Sequence, residues 1–410
     1  MQRSKTALVL AGGGIAGAAY EIGALCAIDQ LLEQLSVNEF DIYVGTSAGS
    51  LISACLANNI SPRTLLSVLE SPMLGIEQLE PHHLYSLNVP DLLARIRRLP
   101  AAFVEMARRV IAEGGAISLL DLVEALAAGL PTGIYDSLAL EGYIRAALSL
   151  PGRSNRFADL RRELAIIATD LDTGERAVFG HPPLHEVPIS MAVCASAALP
   201  LFYRPVRIGD RDYIDGGIRG TASLDVAIEC GAELIVCVNP LVPFDNRDHF
   251  EGRSFSDEGM TRIGNQVFRT FIHAGLHYHL KQVRRRHPDV DIILIEPNRR
   301  DHVMFNDNTM RYKTRMTLAR HGFETVASHL NQHYYYYRDM MKRHGIKISN
   351  ERLNHDLQNL RAAGDDFHAV KAALVSNGSL HTAPAGLALT LAELDRLLTR
   401  LEERCIGRAA

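Results

Sequence analysis

Gly45-Thr46-Ser47-Ala48-Gly49 constrains the fold of this chain more than any other stretch. It follows a short apolar run at residues 40–44, read as a buried strand, and opens an apolar helical run at residues 50–57. Strand, G-x-S-x-G, helix is the setting of a nucleophile elbow. A serine on so sharp a turn needs small neighbours two residues to either side, and Gly45 and Gly49 supply them. The helix N-terminus then aims free N–H groups at the serine, where negative charge develops during acyl transfer. The five-residue pattern alone is weak, because plain strand-to-helix turns share its composition. Its weight depends on what surrounds it.

The N-terminus supplies the first support. Residues 6–10 read as a buried strand, Ala11-Gly12-Gly13-Gly14-Ile15-Ala16-Gly17 follows, and a helical run extends from residue 18 to about 35. Consecutive glycines let backbone N–H groups approach a ligand atom closely, as an oxyanion hole requires. Two rivals compete for the same residues. Gly12, Gly14 and Gly17 fit the dinucleotide fingerprint G-x-G-x-x-G. That fingerprint wants an acid ending the second strand, where Val44 stands; Asp41 lies at the wrong end. A secretory leader also begins with cations before an apolar stretch, as residues 1–10 do. The glycine run would interrupt its apolar helix, and Glu21 follows soon after. Strand, loop and helix account for these residues better.

Asp215 is the third element. Residues 206–214 read as a hairpin turning at Gly209-Asp210, and Asp215-Gly216-Gly217 leaves its second strand. Asp-Gly is a common turn signal, so a loop aspartate is the bland reading. A serine elbow and a triple-glycine loop upstream favour a catalytic one.

With these blocks in hand, the chain resembles the patatin-like phospholipases. The glycine-rich loop of that family looks like residues 12–17, its nucleophile motif like residues 45–49, and its Asp-Gly-Gly motif like Asp215-Gly216-Gly217. Ala195-Ser196-Ala197-Ala198-Leu199-Pro200 resembles the family's small-residue segment. The four blocks keep the family's order and cover residues from about 5 to 240, extending toward about 340. The resemblance implies a three-layer α/β/α fold with a mostly parallel sheet. It also implies a Ser47–Asp215 dyad and no triad, with Gly12, Gly13 and Gly14 as the oxyanion hole and Gly17, Gly45, Gly49, Gly216 and Gly217 as elbow and motif glycines. Ser47 would attack an ester carbonyl of a phospholipid or lysophospholipid, and Asp215 would take its proton. An aspartate with a reference pKa of about 3.9 is a weak base in water, so a desolvated pocket is expected to raise it. Two departures stand out. Ala16 occupies the place where the family usually carries Arg or Lys, and Ile218-Arg219-Gly220-Thr221-Ala222 replaces an Asn-Pro type of continuation. A soluble esterase or thioesterase, an acyl transferase, or a weakly catalytic lipid- or partner-binding scaffold are the alternatives the same residues leave open.

Histidine offers a triad through His181, His185, His273, His277 or His279, but none stands in a motif marking a catalytic base. No metal is expected, since His82-His83 and His277-Tyr278-His279 lack a clustered partner in the sequence, and no cofactor is implied. A net charge of −4 does not point to nucleic acid. No apolar run reaches the ~20 residues needed to span a bilayer. Six scattered cysteines without C-x-x-C read as buried reduced thiols. A cytoplasmic location, with peripheral contact at the inner membrane face, is the expectation, and a homo-oligomer is open.

The organisation read from the chain is a catalytic domain at residues 1–349 and a helical extension at 350–410. A helical insertion of residues 62–150 acts as a cap. In it Leu92, Leu93, Ile96, Leu99, Phe103, Met106 and Val110 recur at helical spacing among Arg95, Arg97, Arg98, Arg108 and Arg109, with Pro100 expected to kink or divide the run. Such a face could lie on an anionic bilayer; packing of the apolar stripe on the core is the favoured reading. Residues 163–179 read as two strands about the Asp172-Thr173-Gly174 turn, 234–238 and 290–295 as buried parallel strands, and 262–286 and 309–343 as long helices. On the latter, Tyr334-Tyr335-Tyr336-Tyr337 is expected to send two rings inward and two outward.

Overall fold

The computed structural model describes residues 3–112, 130–248, 252, 254–306 and 312–363. The described strands are β1 (Thr6–Leu10), β2 (Ile42–Thr46), β3 (Ser86–Leu87), β4 (Gly133–Asp136), β5 (Glu163–Asp170), β6 (Arg176–Phe179), β7 (Leu201–Tyr203), β8 (Val206–Ile208), β9 (Arg211–Asp215), β10 (Leu234–Val238) and β11 (Asp291–Ile295). The helices are α1 (Gly14–Leu31), α2 (Ala48–Ala57), α3 (Pro62–Val68), α4 (Pro81–Leu84), α5 (Val89–Ala112), α6 (Leu138–Leu148), α7 (Ile189–Ser196), α8 (Leu224–Glu229), α9 (Met260–Arg286), α10 (His302–Asn306), α11 (Arg315–Gln332), α12 (Tyr334–Arg343) and α13 (Glu351–Ala362).

The central sheet has a parallel body in the order β11-β10-β1-β2-β5. Its strands are apolar throughout because both faces are covered. Alternation along β1 shows the division: Leu8 and Leu10 enter one core, while Ala7 and Val9 enter the other. The first core is closed by α1, α2, α7, α11 and α13, the second by α8 and α9. The result is the expected α/β/α sandwich.

Helix α1, which starts in the glycine loop, is clasped by α11 from much later in the chain. A Cβ on Gly23 would lie 1.9 Å from the Ala319 carbonyl oxygen, and one on Gly322 would lie 2.4 Å from that of Tyr20. Only bare backbone permits this approach. Helix α13 joins the same core through Leu353, Leu357 and Leu360, and its buried Asp356 meets Arg63 of α3 at 2.9 Å.

Several boundaries differ from the sequence reading. Strand β2 starts two residues later than residue 40 and runs on through Gly45-Thr46, because the elbow begins only at Ser47. Helix α1 begins inside the glycine run and ends at Leu31. The span 309–343 divides at His333 into α11 and α12; Tyr337 is buried, Tyr334 is half-buried against the core, and Tyr335 and Tyr336 are exposed, so the rings divide as expected. The insertion is not purely helical: β3 and β4 join β7 in a small second sheet. Helix α5 continues through Pro100, at the loss of one backbone N–H bond. The part of its apolar face that is described lies largely in solvent rather than on the core. Leu92, Leu93, Ile96 and Val104 are all exposed, Leu93 by 51%. The side chains of Arg98, Leu99, Phe103, Arg109 and Val110, and the tail from residue 364 with Cys405, lie outside the described residues.

Candidate active site

The register of β5 brings the two predicted catalytic residues together. Ile166 and Ile167 pair with β2 on one edge and with β6 on the other. Ala168 and Thr169 pair with β6 and also with β9, so β9 must lie on the β2 edge. Strands β2 and β9 therefore share one edge of β5 and meet end to end. Thr46 pairs with Ile167, and Asp215 pairs with the next residue, Ala168. The residue after Thr46 is Ser47, which is how positions far apart in the chain come within bonding distance.

Ser47 occupies the strained elbow predicted for it, with φ +54° and ψ −125°. Its hydroxyl donates to Asp215 Oδ2 at 2.6 Å, the length of a charge-assisted bond. The other carboxylate oxygen of Asp215 accepts the Gly217 N–H at 2.7 Å. Ser47 is 8% exposed and Asp215 4%. Burial pushes the Asp215 carboxyl up to about 6, while the bonds from Ser47 and Gly217 pull the other way. A base in that range is far stronger than a solvated aspartate.

The small-residue block 195–200 braces both partners, a role the sequence did not disclose. The Ser47 N–H donates to Ser196 Oγ at 2.8 Å, and Ser196 donates onward to the Ile167 carbonyl. The Asp215 N–H donates to the Ala198 carbonyl at 2.9 Å, and Thr169 Oγ1 donates to the Asp215 carbonyl at 3.1 Å.

The glycine loop lies over the serine. A Cβ on Gly12 would sit 2.9 Å from Ser47 Cβ. Gly13 caps α1, and Gly14, at φ +61°, is its first residue. The Gly17 N–H closes the first helical turn on the Gly13 carbonyl, so the N–H groups of residues 14–16 have no acceptor within the helix. Gly14 and Ile15 line the same cavity as Ser47. The other motif glycines mark close approaches: Gly45 to Ser50, Gly49 to the Leu10 carbonyl, Gly216 to the Ile167 carbonyl, and Gly17 to Pro240.

Ser47, Asp215 and Gly12, Gly13 and Gly14 open into a cavity of about 130 Å³. Its remaining wall is mainly aliphatic, with Leu51, Leu69, Leu84, Leu140 and Val193 joined by Phe268 and Ile272 of α9. Ala16 is buried and brings no cation, and Arg219 is exposed and outside the lining. Among the described residues the cation that does line the cavity is Arg315, which no motif singles out. It is already engaged by Glu70 at 2.8 Å, by the Leu69 carbonyl and by the Tyr312 ring.

The candidate triad histidines are elsewhere. His181 stands by Glu163 and Cys230, His185 by Glu186, and His279 by Asp225. His273 and His277 face Glu296. Among the described residues no histidine lines the cavity. Cys26, Cys55, Cys194, Cys230 and Cys237 are free thiols, and burial pushes those of Cys26 and Cys55 up to about 12. No described helix is long and apolar enough to cross a membrane.

Comparison with known proteins agrees with this geometry. The sequence model described as patatin-like phospholipase matches residues 8–228, just over half of the chain. A curated relative, "Probable lipid hydrolase 463L" of Invertebrate iridescent virus 6, is 22% identical over 222 residues, which are 54% of this chain and 63% of that protein. The chain thus spans less than two thirds of that relative's length. Among solved structures, VipD from Legionella pneumophila is 16% identical with a TM-score of 0.35, covering 81% of this chain and 67% of that one. The type III effector ExoU of Pseudomonas aeruginosa is 16% identical with a TM-score of 0.32, covering 80% and 53%. Likenesses of that size add nothing to what the family match establishes.

Proposed function

This chain belongs to the patatin-like phospholipase family, and on that premise we propose that it is a serine lipid acyl hydrolase that cleaves phospholipid or lysophospholipid esters through a Ser47–Asp215 dyad. The observation that carries the reading is the 2.6 Å bond from Ser47 Oγ to a buried carboxylate at the mouth of an apolar cavity. Asp215 accepts the Ser47 proton as Oγ attacks the ester carbonyl. Backbone N–H groups of the glycine loop at Gly12, Gly13 and Gly14 stabilise the oxyanion, a contribution of about 3 kcal/mol per donor. Asp215 passes its proton to the leaving alcohol, and water then releases the acyl group from Ser47 by the same steps in reverse. The aliphatic wall suits an acyl chain.

Contact with a bilayer fits the exposed apolar residues of α5, Leu92, Leu93 and Ile96, and those of α9, Met260 and Phe271. Arg97 and Arg108 on α5 match an anionic surface. One observation favours a second reading: with Ala16 buried in place of a cation, the oxyanion loop relies on backbone donors alone, as a weakly catalytic lipid-binding scaffold would.

The test is labelling with a lipid-like fluorophosphonate, read by intact mass, beside product analysis on phospholipid vesicles. A single adduct and fatty acid release by wild type, with neither in Ser47→Ala, are expected. Vesicle binding without adduct or turnover would replace the hydrolase by the scaffold.

A further inference from the structure

Away from the dyad, α9 and the end of β11 bring together three side chains that ligate metals. His273 and His277 stand one turn apart on α9 and so project from one face. Their ring centroids are 4.2 Å apart. Glu296, the residue after β11, reaches both: its Oε2 lies 2.9 Å from His277 Nε2 and 3.8 Å from His273 Nε2. One donor atom from each residue falls within 4.8 Å of the others. Around a tetrahedral zinc with bonds of about 2.1 Å, neighbouring donor atoms are about 3.4 Å apart. The two observed distances lie on either side of that value, so small ring rotations would complete the geometry.

The carboxylate is also braced from behind. Asn239 Nδ2 donates to Glu296 Oε1 at 2.7 Å. Asn239 is fully buried and fixed by bonds to both backbone groups of Leu241. Metal-binding carboxylates are held in this way, with one oxygen occupied and the other presented. A simple His–Glu pair needs neither a second imidazole one turn earlier nor a buried amide behind the acid. The other grouping of this kind, Glu163, His181 and Cys230, is less suited: Lys5 Nζ lies 3.2 Å from Glu163 and 2.7 Å from the Cys230 carbonyl, and its charge opposes a cation there.

We propose that His273, His277 and Glu296 form a binding site for a divalent transition-metal ion of the zinc type. Two imidazoles and a carboxylate are the donor set such ions select. His277 is exposed enough to admit the ion and a water as fourth ligand. The role is a clamp. Phe268 and Ile272, on the same helix just before His273, line the cavity, and Pro240, next to Asn239, packs on Gly13 and Gly17. The ion would lock that cavity wall to the strand ends supporting the glycine loop. The site stands whether or not Ser47 is a nucleophile.

The test uses the full chain, free of any affinity tag and stripped with a chelator. Zinc chloride is titrated calorimetrically and in thermal melts, and cobalt(II) is added for its visible spectrum. One equivalent bound at micromolar affinity, a higher Tm and the absorption of four-coordinate cobalt are expected. His273→Gln/His277→Gln and Glu296→Gln, checked for native circular dichroism, should each weaken binding by about 100-fold or more. Cys230→Ser should leave it unchanged. No binding at about 100 µM zinc, binding that survives the His273→Gln/His277→Gln change, or binding lost in Cys230→Ser would overturn the proposal.

Discussion

Asp215 at the end of β9 is buried and Asp225 at the start of α8 is about a third exposed, and their carboxyls shift in opposite directions. Asp225 meets Arg176 at 2.8 Å and His279 at 3.4 Å. Burial opposes its ionisation, but the bonds from His279 and Arg176 outweigh burial and hold the carboxyl well below its usual range. Among the described residues Asp215 has a hydroxyl and a backbone N–H as its hydrogen-bond partners and no cation, so burial wins and its carboxyl rises to about 6. The same side chain is an anchor in one setting and, on the proposed function, a base in the other. The difference lies in the partner, and a base here is an acid deprived of a countercharge.

The comparison can be broken most directly by substitution. Asp215→Asn and Ser47→Ala should each lower ester cleavage by at least about 10³-fold, with labelling of the serine lost in the latter; near-normal turnover on phospholipid vesicles in either variant would remove the dyad. Gly12→Ala, whose Cβ would press on Ser47 Cβ, should cut kcat by about 10²-fold with the fold retained. Stability should move in opposite directions at the two aspartates. A carboxyl raised in the folded state binds its proton more tightly there than in the unfolded chain, so it destabilises once the pH exceeds both values. Raising Asp215 from 3.8 to about 6 corresponds to up to about 3 kcal/mol. In urea melts Asp215→Asn should therefore be more stable than wild type at pH 8, and the gain should fade between about pH 6 and 4. Asp225→Asn should instead lose stability at pH 8, by about 1 kcal/mol or less because the pair is about a third exposed. That loss should shrink as the pH falls below the usual carboxylate range. The smallest change is expected in the pH profile: kcat/KM should decline toward tenfold per pH unit below about 6, and a profile flat to pH 5 would assign the proton transfer to another group.

Much of the site was legible because its chemistry is local. A serine between glycines, a glycine run after a strand and Asp-Gly-Gly after a hairpin are each fixed by short-range backbone demands, so Ser47, Asp215 and Gly12 could be named from spacing. Their supports could not. Ser196 and Ala198 act through bonds to Ser47 and Asp215 that exist only once β2 and β9 meet on β5. Arg315 reaches the cavity, and Glu296 reaches His273 and His277, by folding alone. The stripe on α5 illustrates a different limit. Helical spacing shows that an apolar face exists but not what it faces, and here Leu92, Leu93 and Ile96 face outward.

The strand order has a consequence for how the chain is made. Strand β1 lies between β2 and β10, and β10 leaves the ribosome more than half a chain length after β1. At about 5–20 residues per second, that is a wait on the order of 10–40 s. The α11 clasp on α1 is synthesised later still. Until both arrive, one edge of β1 is unpaired and the glycine loop lacks its Pro240 contacts at Gly13 and Gly17. Were Ser47 the nucleophile proposed above, its activity would thus wait for these late elements of the chain.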